Sequence, residues 1–144
     1  MSIDQDGVAQ IRRVRDGEPA IFWNGSRFER RPFASRQNYI ERRRHFVESI
    51  TEFASSKICG DYVVVDFGAG ECAISIALAA ADSKSHVVNV DASVIRLFTG
   101  QCLARRFDLR DRIKFIHHDY ADGHEKLATT INTLFPGLPI VVVT

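Results

Sequence analysis

Cysteine is scarce in this 144-residue chain: Cys59, Cys72 and Cys102 are the only three, and no two are spaced as C-x-x-C. An odd, widely spread set excludes a disulfide framework and a cysteine zinc site, and it fits a reducing compartment, here the cytoplasm. Long apolar runs are absent as well. The most apolar window, residues 62–81, is interrupted by Asp66 and Glu71, so no segment reads as membrane-spanning. The opening MSIDQDG is acidic and polar, which excludes a signal peptide. Charge of one sign is missing overall, since the net charge is +1. What is present is ordinary for a globular domain, with 45% hydrophobic and 26% charged residues and enough length for a real core.

Organisation follows from periodicity. Residues 1–19 are polar and peripheral. In AIFWNGSRF, residues 20–28, Asn24-Gly25 between aromatic-rich runs predicts a two-residue hairpin turn, because both central positions of such a turn need positive φ. A helix is expected over residues 36–55, with Ile40, Val47, Ile50 and Phe53 on one side. After Gly60 strands and helices alternate. YVVVDF (62–67), HVVNVD (86–91), IKFIHHD (113–119) and PIVVVT (139–144) read as strands. Between them lie helices over 72–81 and 93–107, the latter with Val94, Leu97, Phe98 and Cys102 at helical spacing. A third helix is marked by Leu127, Ile131, Leu134 and Phe135. Such alternation means βαβ units, hence a Rossmann-like parallel sheet with helices on both faces and an N-terminal hairpin and helix in front. The expected division is an extension over 1–59 and a ligand-binding domain over 60–144.

In a sheet of this kind ligands bind beyond the carboxyl ends of the strands. Asp66, Gly68, Ala69 and Gly70 lie at the end of the first strand and open the first helix. Glycines there let a ligand approach the backbone, and the free N–H groups of the following helix favour an anionic or carboxylate-bearing ligand. Asp91 ends the second strand, 21 residues after Gly70, where a carboxylate can accept from both ribose hydroxyls. Asp119 ends the third strand on the same rim. Two cofactor classes fit this nucleoside site. GAGECA, residues 68–73, satisfies the permissive dinucleotide pattern, so an oxidoreductase domain is one reading. Asp66 tells against it, since a carboxylate facing a pyrophosphate is repelled, whereas a sulfonium or an α-amino group gains.

DFGAGEC, residues 66–72, resembles the first motif of class I S-adenosylmethionine-dependent methyltransferases, acid-x-Gly-x-Gly-x-Gly. The likeness continues through VNVD at 88–91 and IHHDY at 116–120, and it spans residues 60–144. The resemblance implies S-adenosylmethionine as cofactor and methyl transfer as the reaction. The Gly68–Gly70 turn would border the methionine moiety near Asp66, Asp91 would hold the ribose, and Asp119 and Tyr120 would flank the adenine. It also implies the strand order 3-2-1-4-5-7-6, of which 3-2-1-4 is assignable here. The third motif glycine is Cys72, a departure that asks the first helix to begin with a small side chain instead. No residue is identified as a catalytic base, and the methyl acceptor is left open.

Other residues carry weaker signals. His117, His118, Asp119 and His124 resemble a metal cluster, but neighbouring strand residues point to opposite faces, so no metal is expected. Seven arginines within residues 27–44 suit a solvated helix face better than a nucleic-acid surface. Phe22, Trp23, Phe28 and Phe33 suit either a lid or the underside of a hairpin. The fourth strand, Ile140–Val143, is uncharged and β-branched and reads as an uncovered edge, as if the domain were truncated after it. The expectation is therefore a homodimer or a partner subunit joined through that edge. A non-catalytic methyltransferase-like subunit is the rival reading of function.

Overall fold

The structure is a computed structural model; it describes residues 36–70 and 72–144, together with four short strands in the first 35 residues. The chain divides into two compact units, Met1–Ser35 and Arg36–Thr144. The helical segment that follows residue 35 belongs to the second unit, where it packs on the α/β part.

In the first unit β1 (Ser2–Ile3) pairs with β2 (Ala9–Gln10), and β3 (Pro19–Trp23) pairs antiparallel with β4 (Phe28–Pro32). The hairpin is thus where Asn24-Gly25 points to it, but Trp23 stands opposite Phe28, so residues 24–27 connect the strands rather than two residues alone. Those four connecting residues and Phe33 lie outside the described part, as do the side chains of Phe22, Trp23 and Phe28.

The second unit begins with α1 (Arg36–Arg42) and α2 (Arg44–Lys57), one expected helix broken at Arg43. Val47, Ile50 and Ala54 are its buried positions, while Phe53 is 55% exposed. Arg36, Arg42 and Arg44 are exposed, as a solvated helix face requires. Then follow β5 (Tyr62–Phe67), α3 (Ala73–Ala81), β6 (Ser85–Asp91), α4 (Val94–Arg106), β7 (Ile113–His117), a 3-10 turn (Tyr120–Asp122), α5 (Glu125–Leu134) and β8 (Ile140–Val143). The four strands form one parallel sheet ordered β7-β6-β5-β8, which is 3-2-1-4 in order of appearance.

Strand alternation sorts the core into two layers. Val63, Val65, Val88 and Val90 face α5 and pack with its Leu127 and Ile131. On the other face Val64, Asp66, Val87 and Asn89 lie under α3, in the register Val64↔Val87 and Asp66↔Asn89. The valines are 3% exposed or less, and each contributes about 1.5–3 kcal/mol on transfer from water. The packing face of α4 is Leu97, Gly100, Leu103 and Ala104; Val94 is 63% exposed, so the expected stripe is rotated. At the amino end of the sheet Tyr62 donates to Asp82 Oδ2 (2.5 Å), and Arg112 Nη2 donates to the carbonyls of Asp82 (2.8 Å) and Ser85. This clamp leaves the carboxyl ends for the glycine turn.

Candidate nucleoside site

Where β5 ends, the chain must reverse into α3 within five residues, and it does so through left-handed backbone. Gly68, Gly70 and Cys72 have φ of 73°, 57° and 57°. The glycines take this at no steric cost; for the cysteine it costs about 1–2 kcal/mol. The turn is then pinned to the next strand. Gly68 and Ala69 donate N–H to the Val90 carbonyl (2.9 and 3.2 Å), and Cys72 N–H closes the turn on Ala69 (3.0 Å).

Asp91, at the end of β6, completes the pinning. Its Oδ2 accepts from Gly70 N–H (2.8 Å) and its Oδ1 from Ser93 N–H (2.7 Å), so one carboxylate ties the glycine turn to the start of α4. The side chain is 6% exposed. An ionised carboxylate has about four acceptor positions, so each oxygen retains one beyond its backbone bond. The structure thus gives Asp91 a framework duty that its spacing alone does not reveal.

Asp66 differs from expectation more sharply. It sits on the α3 face of β5, 5% exposed, with Oδ2 accepting from Ser75 Oγ (2.7 Å), and Asn89 Nδ2 donates to that hydroxyl (3.3 Å). The carboxyl is therefore turned beneath α3 and does not line an open surface. Burial pushes its pKa up, the Ser75 hydrogen bonds oppose the rise, and the neighbouring Asp91 charge adds to it. Asp66 therefore does not face a pyrophosphate directly.

The third rim is built by β7 and the residues after it. Asp119 caps the 3-10 turn, Oδ1 accepting from Ala121 N–H (3.0 Å), and is exposed. Tyr120 packs on Phe67 with ring centroids 5.1 Å apart, and its hydroxyl would lie 2.9 Å from a Cβ at Gly68. The Tyr120 hydroxyl therefore lies against Gly68 at the edge of the turn. His118 N–H donates to the Asp91 carbonyl (3.2 Å), which joins this rim to β6. Asp66, Gly68, Ala69, Gly70, Asp91 and Tyr120 are thus brought together, and Asp119 stands at the exposed edge.

Several members were not legible as site residues in one dimension. Ser75 and Asn89 become partners of Asp66 only when α3 folds over the sheet. Arg96, on the first turn of α4, brings Nη1 to 3.8 Å from a Cβ position at Gly70. His118 Nε2 and His124 Nδ1 lie 3.3 Å apart, and His117 Nε2 instead meets the Ala92 carbonyl (3.0 Å). Among the described residues no group of three or more metal-ligating side chains forms. None of the described helices is long and apolar enough to cross a membrane.

No family model matches the sequence, and no curated protein matches it. Solved structures resemble the fold at low identity. Coclaurine N-methyltransferase bound to N-methylheliamine and SAH aligns with a TM-score of 0.49 and 22% identity, over 58% of this chain and 23% of that one. The precorrin-6y C5,15-methyltransferase of Geobacter metallireducens aligns at 0.47 and 16%, over 59% and 42%. The [4+2]-cyclase SpnF aligns at 0.42 and 18%, over 50% and 27%. The aligned part is less than half the length of each of these proteins. Residues 62–143 carry a Rossmann-like α/β fold in the strand order 3-2-1-4, flanked by helices on both faces.

Proposed function

We propose that residues 60–144 bind S-adenosylmethionine at the carboxyl ends of β5, β6 and β7 and form the cofactor half of a methyltransferase. The observation that carries this reading is the 2.8 Å hydrogen bond from Gly70 N–H to Asp91. It makes the glycine turn and the ribose-type carboxylate one rigid unit, with Asp119 on the neighbouring strand end. The surface of Gly70 is open: a Cβ there would meet nothing nearer than Arg96 at 3.8 Å. Side-chain packing does not demand that glycine; its φ of 57° calls for it, and the bare backbone also lets a ligand approach closely.

When bound, S-adenosylmethionine supplies a methyl group on a sulfonium, ready for in-line displacement. The residues here bind and orient. Asp91 offers its remaining acceptor positions to the ribose hydroxyls, and Gly68 and Gly70 let the ligand lie on the backbone. Asp119 accepts from the adenine amino group, with Tyr120 leaving Gly68 to flank the ring. The buried Asp66 and Asp91 favour a cationic centre over a pyrophosphate by their field, the remaining physical ground for preferring this cofactor to a dinucleotide.

A second reading rests on β8. Ile140 and Val142 are 41% and 60% exposed, and the outer edge of the strand is unpaired in the sheet. We propose that this edge pairs with another strand, a second copy of the chain being the partner to test, and that the fold serves assembly if cofactor binding fails. Calorimetric titration with S-adenosylhomocysteine, with NADH as control, separates these readings. Binding of the former alone supports the methyltransferase site. Binding of neither moves the assembly role to first place, and binding of NADH alone points to a dinucleotide domain.

A further inference from the structure

Arg96 is a guanidinium without a counter-charge among the described residues. It stands on the first turn of α4, half-buried, and none of the described residues accepts a hydrogen bond from it or pairs with it. Two described acids of the site, Asp91 and Asp66, are engaged with other groups. Asp91 spends its two oxygens on the N–H groups of Gly70 and Ser93, and Asp66 is bonded to Ser75 beneath α3. Nη1 lies 3.8 Å from the Cβ position of Gly70, against a turn whose Gly68 is exposed and whose Gly70 is partly so. A half-buried guanidinium beside the glycine turn has donors available there, and an anionic group would give them a charge-assisted partner.

We infer that Arg96 binds the carboxylate of the ligand's amino-acid moiety and so sets the site's preference for an amino-acid-bearing nucleoside over a bare one. This rests on the S-adenosylmethionine reading above. A planar guanidinium fork matches a carboxylate through two parallel N–H donors, which an ammonium does not reproduce. The division of labour is then electrostatically consistent. Asp91 meets neutral hydroxyls, the acids lie toward the sulfonium and amino group, and Arg96 meets the one negative group on the ligand.

The test compares two ligands on the full chain: S-adenosylhomocysteine, which carries the carboxylate, and 5′-methylthioadenosine, which does not. Arg96→Gln is expected to weaken the first about tenfold or more and leave the second unchanged, because a hydrogen bond to a charged group is lost in only one case. Arg96→Lys, retaining charge without the fork, should fall between. Equal weakening of both ligands would show that Arg96 only supports the turn, and unchanged binding of both would show that it does not touch the ligand; either overturns the inference. If the unaltered chain binds neither nucleoside, the cofactor reading itself fails and this inference falls with it. Binding of NADH alone, weakened by Arg96→Gln, would reassign the arginine to a pyrophosphate.

Discussion

The sulfur of Cys72 fills the space that a side chain on Gly100 would need. A Cβ at Gly100 would stand 2.8 Å from Sγ and 2.8 Å from Cε1 of Phe115. Glycine in a helix interior costs about 0.5–1 kcal/mol relative to alanine, so its place in α4 calls for a reason. The reason is the fully buried cysteine at the head of α3, where the motif it resembles has glycine. The bulk gained at one position is matched by its loss at the other.

Gly100→Ala should therefore destabilise the fold by about 1–3 kcal/mol through overpacking. Combining it with Cys72→Gly should recover part of that loss, because the sulfur leaves and a φ of 57° suits glycine. Phe115 limits the recovery. Denaturant unfolding of the two single variants and the pair measures it; strictly additive costs would contradict the complementarity.

Asp66→Asn should raise thermal stability at neutral pH. The sign follows from burial, which raises the carboxyl's folded-state pKa above its ordinary value. Its contribution is fully present while both states are protonated and is lost as pH rises through the raised value. Asparagine keeps an acceptor for Ser75 and escapes that loss. The difference in melting temperature should shrink as pH falls into the ordinary carboxylate range. A difference independent of pH would show that Asp66 is not destabilised by burial.

Asp91→Ala removes the acceptor for both Gly70 and Ser93 N–H groups. The expected cost is about 1–3 kcal/mol of stability, from donors left without a partner, together with loss of S-adenosylhomocysteine binding. Asp91→Asn retains one carbonyl acceptor and should recover stability more than binding. Calorimetry and unfolding on the two variants separate the framework duty from the ligand duty. Equal recovery of both would merge them.

Val142→Lys addresses the edge of β8. An added charge on an exposed, otherwise apolar edge strand blunts pairing with a second copy. Light scattering across a concentration series should show dimer in the parent chain and monomer in the variant. A parent that stays monomeric at high concentration removes the proposed self-pairing.

Strands were the most legible elements. YVVVDF is unbroken and β-branched, and β5 occupies those six residues. Helix positions were legible too, but their buried faces were not. Ala54 replaces Phe53 inside, and in α4 Leu97 is buried as expected while Leu103 and Ala104 pack in place of Val94, because neighbouring helices set the rotation of each one. Of the site, the glycine turn, Asp91 and Asp119 were legible from spacing. The inward turn of Asp66 was not, since its direction is decided by Ser75, nine residues away on a different element.

Local chemistry alone determined the α/β alternation and the left-handed turn at Gly68 and Gly70. It also determined the acids at three successive strand ends. These depend on side-chain period and on backbone freedom, both readable over a few residues. Tertiary structure alone decided which groups are already satisfied. Asp91 gives one position of each oxygen to backbone donors, Asp66 is buried under α3, Gly100 yields to Cys72, and Arg96 is left without a counter-charge among the described residues. Whether a polar group keeps a free position depends on partners brought from distant segments, and only packing sets those distances.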